Sequence, residues 1–155
     1  MPVTGYQMLM PKSVDILMVE DDAKDAELVL EALRQRHISS NVVHVVDGHE
    51  AMDFISHSDL YLNWQDLYIP KVILLDLKLT TVSGLDVLRQ LKAEDNTKAI
   101  PVVVFTGSPR DIDLIESYRL GVNSYVMKPN DAGEFMEVVG EIGNYWVKVN
   151  HPPAH

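Results

Sequence analysis

Cysteine is absent from this 155-residue chain, which excludes disulfides, thiolate metal sites and cysteine nucleophiles and agrees with a reducing compartment. Basic residues are scarce: 13 Lys and Arg stand against 23 Asp and Glu, for a formal net charge of −10. That balance disfavours non-specific binding to nucleic acid or anionic membrane, since both need clustered Lys and Arg. No apolar run is long enough to span a bilayer. The N-terminal MPVTGYQMLMPKS lacks the basic start and unbroken apolar core of a signal peptide. A cytoplasmic protein without nucleic-acid or membrane partners is the expectation. The length suits one domain, and 46% hydrophobic residues are enough to fill its core.

Short apolar runs recur at 15–20 (DILMVE), 41–46 (NVVHVV), 71–76 (KVILLD), 100–106 (IPVVVFT) and 123–128 (NSYVMK). Helical periodicity fills the gaps between them. Ala26, Val29, Leu30 and Leu33 follow i, i+3, i+4, i+7; Val87, Leu88 and Leu91 mark a shorter helix; Phe135, Val138, Val139, Ile142 and Trp146 make a final stripe. Five strands alternating with five helices predict a three-layer α/β/α sandwich around a parallel sheet. The unbroken apolarity of the third and fourth runs predicts interior strands, and the first run reads as a central strand.

In open sheets of this kind, ligand sites form at the carboxyl ends of the strands. Polar residues stand at four such ends: Glu20, Asp21 and Asp22 after the first strand, Asp76 after the third, Thr106 after the fourth and Lys128 after the fifth. Jointly they supply the ingredients of phosphoryl chemistry. Asp76 can act as a nucleophile and form an aspartyl phosphate. The acids with Asp76 offer oxygen ligands for Mg²⁺, and Mn²⁺ is the alternative ion. Three neighbouring carboxylates repel one another unless a cation neutralises them. Asp22 with Asp25 resembles a capping pair opening the first helix, so Asp22 is expected to cap and Glu20 and Asp21 to face the metal. Thr106 offers a hydroxyl, Gly107 leaves the approach open, and Lys128 offers a compact positive charge. Pro129 biases Lys128 towards an extended backbone.

These residues resemble the receiver domains of two-component response regulators. The likeness runs over about residues 14–147: VEDD after the first strand, LLDLKL with Gly84 eight residues past Asp76, FTGS, and SYVMKP. The resemblance implies a flavodoxin-like, CheY-like fold with strand order 2-1-3-4-5. It implies that Asp76 is the phosphoacceptor for a histidine kinase's phosphohistidine. Mg²⁺ would be held by Asp21, Asp76 and the backbone carbonyl of Lys78, with Glu20 reaching it through water. Thr106 and Lys128 would bind the phosphoryl group, and Tyr125 would be an aromatic switch, moving inward as Thr106 is drawn to the phosphate. No enzymatic activity is expected beyond assisted self-phosphorylation and autodephosphorylation. The likeness also raises the expectation of a cis bond at Lys128–Pro129.

Departures from the family pattern concentrate after the phosphoacceptor. The turn reads LKLTTVSG, with Thr80 where receivers often carry proline and Lys78 where a side chain can reach the site. Residues 1–13 read as an extension and 148–155 as a tail too short for an output domain, with its NHPPAH end (150–155) expected to fray. Protein contact, a phosphorelay step or a change of oligomer is then the expected output. The span 56–70, with Tyr61, Trp64 and Tyr68, suits an interface or a cover for the sheet edge. That span and GNYWV near the C-terminus resemble single-domain regulators paired with bacterial and cyanobacterial phytochrome kinases. A bacteriophytochrome-type histidine kinase and an unknown downstream protein are the implied partners. A homodimer through Tyr145, Trp146 and Val149 competes with packing of that helix on the sheet. The alternatives are a kinase sensing something other than light, an intermediate phosphorelay carrier and, more distantly, a haloacid-dehalogenase-type phosphatase. That phosphatase wants Asp-x-Asp, where DLK places Lys78. A flavodoxin-like cofactor binder would need a phosphate loop where EDD stands.

Overall fold

The computed structural model describes residues 14–38, 41–59 and 69–153. Tyr61, Trp64 and Tyr68 and the extension 1–13 lie outside the described residues, as do the final two residues of the tail. Five strands are β1 (Ile16–Val19), β2 (Val42–Val45), β3 (Val72–Leu75), β4 (Val102–Thr106) and β5 (Ser124–Met127). The helices between and after them are α1 (Ala23–Gln35), α2 (Gly48–Asp59), α3 (Gly84–Ala93), α4 (Asp111–Leu120) and α5 (Ala132–Gly143). All strand pairs are parallel, in the order β2-β1-β3-β4-β5. The expected order is borne out, with β3 rather than β1 in the middle.

The period-2 alternation of a strand divides each interior strand between two cores. Leu17 and Val19, Ile73 and Leu75, and Val102 and Val104 face one cluster with Ala51, Ile55, Val87, Leu88 and Leu91 from α2 and α3. Ile16 and Met18, Val72 and Leu74, and Val103 and Phe105 face the other, with Ala26, Val29, Leu33, Phe135 and Val139 from α1 and α5. Because both faces are covered, β1, β3 and β4 are buried along their whole length. The edge strands β2 and β5 are only partly buried.

Two local features differ from the sequence pattern. The final helix does not continue as α past Gly143; a π-helical turn covers Asn144–Val149. Trp146 packs on the α1/α5 core, while Tyr145 and Val149 remain about half exposed. Packing on the sheet side has therefore claimed the tryptophan of the expected dimer surface. The Lys128–Pro129 bond is trans, since no peptide bond among the described residues is cis.

Candidate functional site

Each strand of the site hands its last residue to the ladder before the chain turns away. Glu20 N–H donates to Val45 O at 3.1 Å, Asp76 N–H to Val19 O at 3.1 Å, and Lys128 N–H to Thr106 O at 2.8 Å. The backbone beneath these side chains is thus held by neighbouring strands. Glu20 and Asp76 are buried despite their charge, and Thr106 is fully buried.

Lys128 ties the group together. Its Nζ donates to Glu20 Oε1 at 2.7 Å, Asp25 Oδ2 at 2.8 Å and Asp76 Oδ2 at 3.0 Å. The ammonium also sits 5.9 Å from the centroid of the Phe105 ring, which itself packs edge-on against Phe135. Burial alone would favour loss of the lysine proton. Hydrogen bonds to Asp25 and Glu20 and the charge of Asp76 more than offset this and hold the ammonium above the usual lysine range. Burial pushes Glu20 up to about 7; Lys128 opposes that rise and the Asp76 charge adds to it.

Glu20, Asp21 and Asp76 each bring a carboxylate oxygen within 4.8 Å of the others. An all-oxygen, acid-rich set of this kind suits a hard divalent cation. Asp22 caps α1 as expected, its side chain accepting from Asp25 N–H at 3.0 Å. Lys78 N–H donates to Asp76 Oδ1 at 3.2 Å, while its side chain is exposed. Both oxygens of Asp76 are therefore engaged.

Thr106 Oγ1 accepts from Ser108 N–H at 3.3 Å. At Gly107 a Cβ would meet no atom within 4 Å, so the approach is open. Gly84 has the opposite reason for being glycine: a Cβ there would stand 2.3 Å from Asp76 O and 2.5 Å from Leu77 Cα. The tight approach of α3 to the Asp76 turn requires it.

Tyr125 packs partly buried against the α2/α3 core, and its hydroxyl is buried without a hydrogen-bond partner among the described residues. Burial raises the phenol above its usual range, and the charge of Asp113 adds to that. Ser108 lies near enough to oppose the rise, but no bond of normal geometry joins the two hydroxyls. Ser108 Oγ instead donates to Asp113 Oδ2 at 2.5 Å. The ring expected to move inward is thus already partly inside.

Asp25 is the site residue that sequence reasoning missed. It reads as the partner of the Asp22 cap, and its N–H does serve there. Its carboxylate lies on Lys128, 103 residues away. The available signal was its place in the first turn of the helix that follows the acidic strand end.

The model of the response regulator receiver domain matches residues 16–140. The chain belongs to that family. Among similar proteins, this receiver is 37% identical over 139 residues to the response regulator Rcp1 of Synechocystis, covering 90% of this chain and 92% of Rcp1. It is 36% identical over 139 residues to the protein named "Probable methanogenesis regulatory protein FilR2" of Methanothrix harundinacea, covering 90% of this chain and 87% of FilR2. The Mn²⁺-bound crystal structure of Rcp1 superposes with a TM-score of 0.80 over 91% of this receiver and 99% of Rcp1. The phosphorylated cyanobacterial phytochrome response regulator RcpA, 34% identical, gives 0.81 over 92% of this receiver and 99% of RcpA. Among the described residues, no helix is long and apolar enough to cross a membrane.

Proposed function

We propose that this receiver takes a phosphoryl group on Asp76 from the phosphohistidine of a histidine kinase and signals through phosphorylation-dependent protein contacts. The convergence of Asp76, Glu20 and Lys128 at the ends of three strands carries this reading. In the transfer, an Asp76 oxygen forms a bond to phosphorus as the phosphorus–nitrogen bond of the donor imidazole breaks, and the imidazole keeps the electron pair. Lys128 holds positive charge beside the nucleophile, where negative charge gathers on the phosphoryl oxygens. Thr106 supplies a hydroxyl at the neighbouring strand end, and the open space at Gly107 admits the donor.

Glu20, Asp21 and Asp76, with the backbone carbonyl of Lys78, would hold Mg²⁺ or Mn²⁺. When bound, the ion supplies charge neutralisation for the transferring phosphoryl group. The added charge of the phosphate then draws Thr106 and shifts the balance of Tyr125 positions, remodelling the surface around α4 and β5.

A phytochrome-type kinase is the favoured partner, supported by the likeness to Rcp1 and to the phytochrome regulator RcpA. The similarity to FilR2 supports a second reading, in which the kinase senses something other than light. The exposed Lys78, where a haloacid-dehalogenase phosphatase would need its second Asp, gives that alternative no support.

Incubation with a small phosphodonor and Mg²⁺ tests the proposal. The wild type should gain one base-labile phosphoryl group, and Asp76→Asn should gain none. A wild type that gains none sinks the reading, and a mutant that still gains one moves the acceptor elsewhere.

A further inference from the structure

Lys128 has three ammonium protons, and three carboxylates take them. Under the proposed function, on which the role of the third carboxylate rests, two of them have another task. Asp76 carries the phosphoryl group, and Glu20 belongs with Asp21 to the cation set. Asp25 belongs to neither. Its side chain is 27% exposed, against 4% for Glu20 and 6% for Asp76. It stands in the first turn of α1, one residue before the buried Ala26, with its backbone held by the Asp22 cap. A first-turn acid is favoured by the helix dipole alone, but that preference requires no partner on β5.

Position adds to this. Asp25 lines, with Lys24, Gly107, Lys128 and Pro129, a cleft of about 280 Å³ beside the strand ends. Of the three carboxylates on Lys128, Asp25 is the most exposed, so an anionic phosphodonor in that cleft faces its charge. Once phosphate is on Asp76, its oxygens and the Asp25 carboxylate want the same ammonium.

We infer that Asp25 is a positioning residue that anchors Lys128 on the α1 side of the site and competes with the phosphoryl group for it. The anchor keeps the lysine ordered and paired with a carboxylate at rest, and it lowers the readiness of Asp76 to take up and keep phosphate. Glu20 and Asp76 cannot play this part, because each is drawn into the reaction itself.

Asp25→Asn keeps the size and one acceptor oxygen but removes the charge, and Asp25→Glu restores it. Two measurements test the inference. In metal-free, phosphate-free protein, reductive methylation of Lys128, read by mass spectrometry, should run about five-fold faster in Asp25→Asn than in wild type. With acetyl phosphate and Mg²⁺, Asp25→Asn should reach half-maximal uptake at about five-fold lower donor concentration and hold its phosphate longer. Asp25→Glu should return both towards wild type, and the thermal midpoint of each variant shows that the fold is kept. Unchanged methylation of Lys128 overturns the anchor. Unchanged or weaker donor dependence and lifetime overturn the competition, even if stability shifts. Because the methylation arm needs no phosphorylation, failure of the anchor is distinguishable from failure of Asp76 to act as acceptor.

Discussion

Lys128 Nζ lies 3.0 Å from Asp76 Oδ2, although the two residues are 52 apart in the chain. They stand at the ends of β5 and β3, which are not neighbours; β4 runs between them. The lysine therefore reaches across β4, with its ammonium by the Phe105 ring. That crossing sets one cation between the buried carboxylates of Glu20 and Asp76, whose mutual repulsion would otherwise be uncompensated.

Replacing Lys128 with Met should cost both chemistry and stability. Phosphoryl uptake from a small donor should fall by about 10²-fold or more, as when one charge-stabilising donor is lost from a reacting site. Removing one partner of a buried ion pair should also destabilise the metal-free protein by about 3 kcal/mol. Denaturant unfolding measures the second effect, and added Mg²⁺ should return part of it.

Divalent cation should stabilise the wild type by linkage. At about 100 times its dissociation constant, Mg²⁺ or Mn²⁺ should add about 2.7 kcal/mol. For a domain of this size that is a rise of about 5–10 °C in the thermal midpoint. A chelator should reverse it, and Asp21→Asn should abolish most of it without touching the Lys128 bonds. A midpoint indifferent to cation would remove Glu20, Asp21 and Asp76 as its ligands.

Gly84→Ala should disturb the site from outside it. Its Cβ would press on the backbone at Asp76 and Leu77, which cannot yield like a flexible side chain. The Gly84 N–H also donates to Leu77 O at 3.0 Å, so the two segments cannot simply part. A loss of about 2 kcal/mol or more is expected, together with slower phosphoryl uptake. Unfolding and phosphorylation measured on one preparation check both.

Alkaline pH should expose the burial of Tyr125. Its phenol ionises above the usual value in the folded protein, so the unfolded chain releases that proton first. The associated stability is fully present below about pH 10, the ordinary tyrosine value, and is lost as pH rises through the folded value. Unfolding midpoints compared between pH 9 and 11 should fall more steeply in wild type than in Tyr125→Phe. Parallel curves would show that this hydroxyl is already solvated.

Local pattern was enough to read the strands, most of the helices and the place of Asp76 at a strand end. Period-2 and period-3.6 patterns are local, and a strand buried on both faces, such as Val72–Leu75, has to be apolar throughout. A polar residue ending such a run, as Asp76 does, stands at the carboxyl edge whatever the rest of the chain is doing. Asp22 as a cap was legible for the same reason, since its partner Asp25 is three residues away. Other features arise only when the elements pack together. On α4, Ile112, Ile115 and Tyr118 face outward while Ser117 is buried, the reverse of what apolar spacing suggests. Trp146 packs on the core as its helical spacing suggests, but the widening to a π turn over Asn144–Val149 is not written in that spacing. The bond between Asp25 and Lys128 depends on the angle at which α1 docks on the sheet. That angle is set by Ala26, Val29 and Leu33 packing against residues from β1 and α5, so no stretch of local sequence contains it.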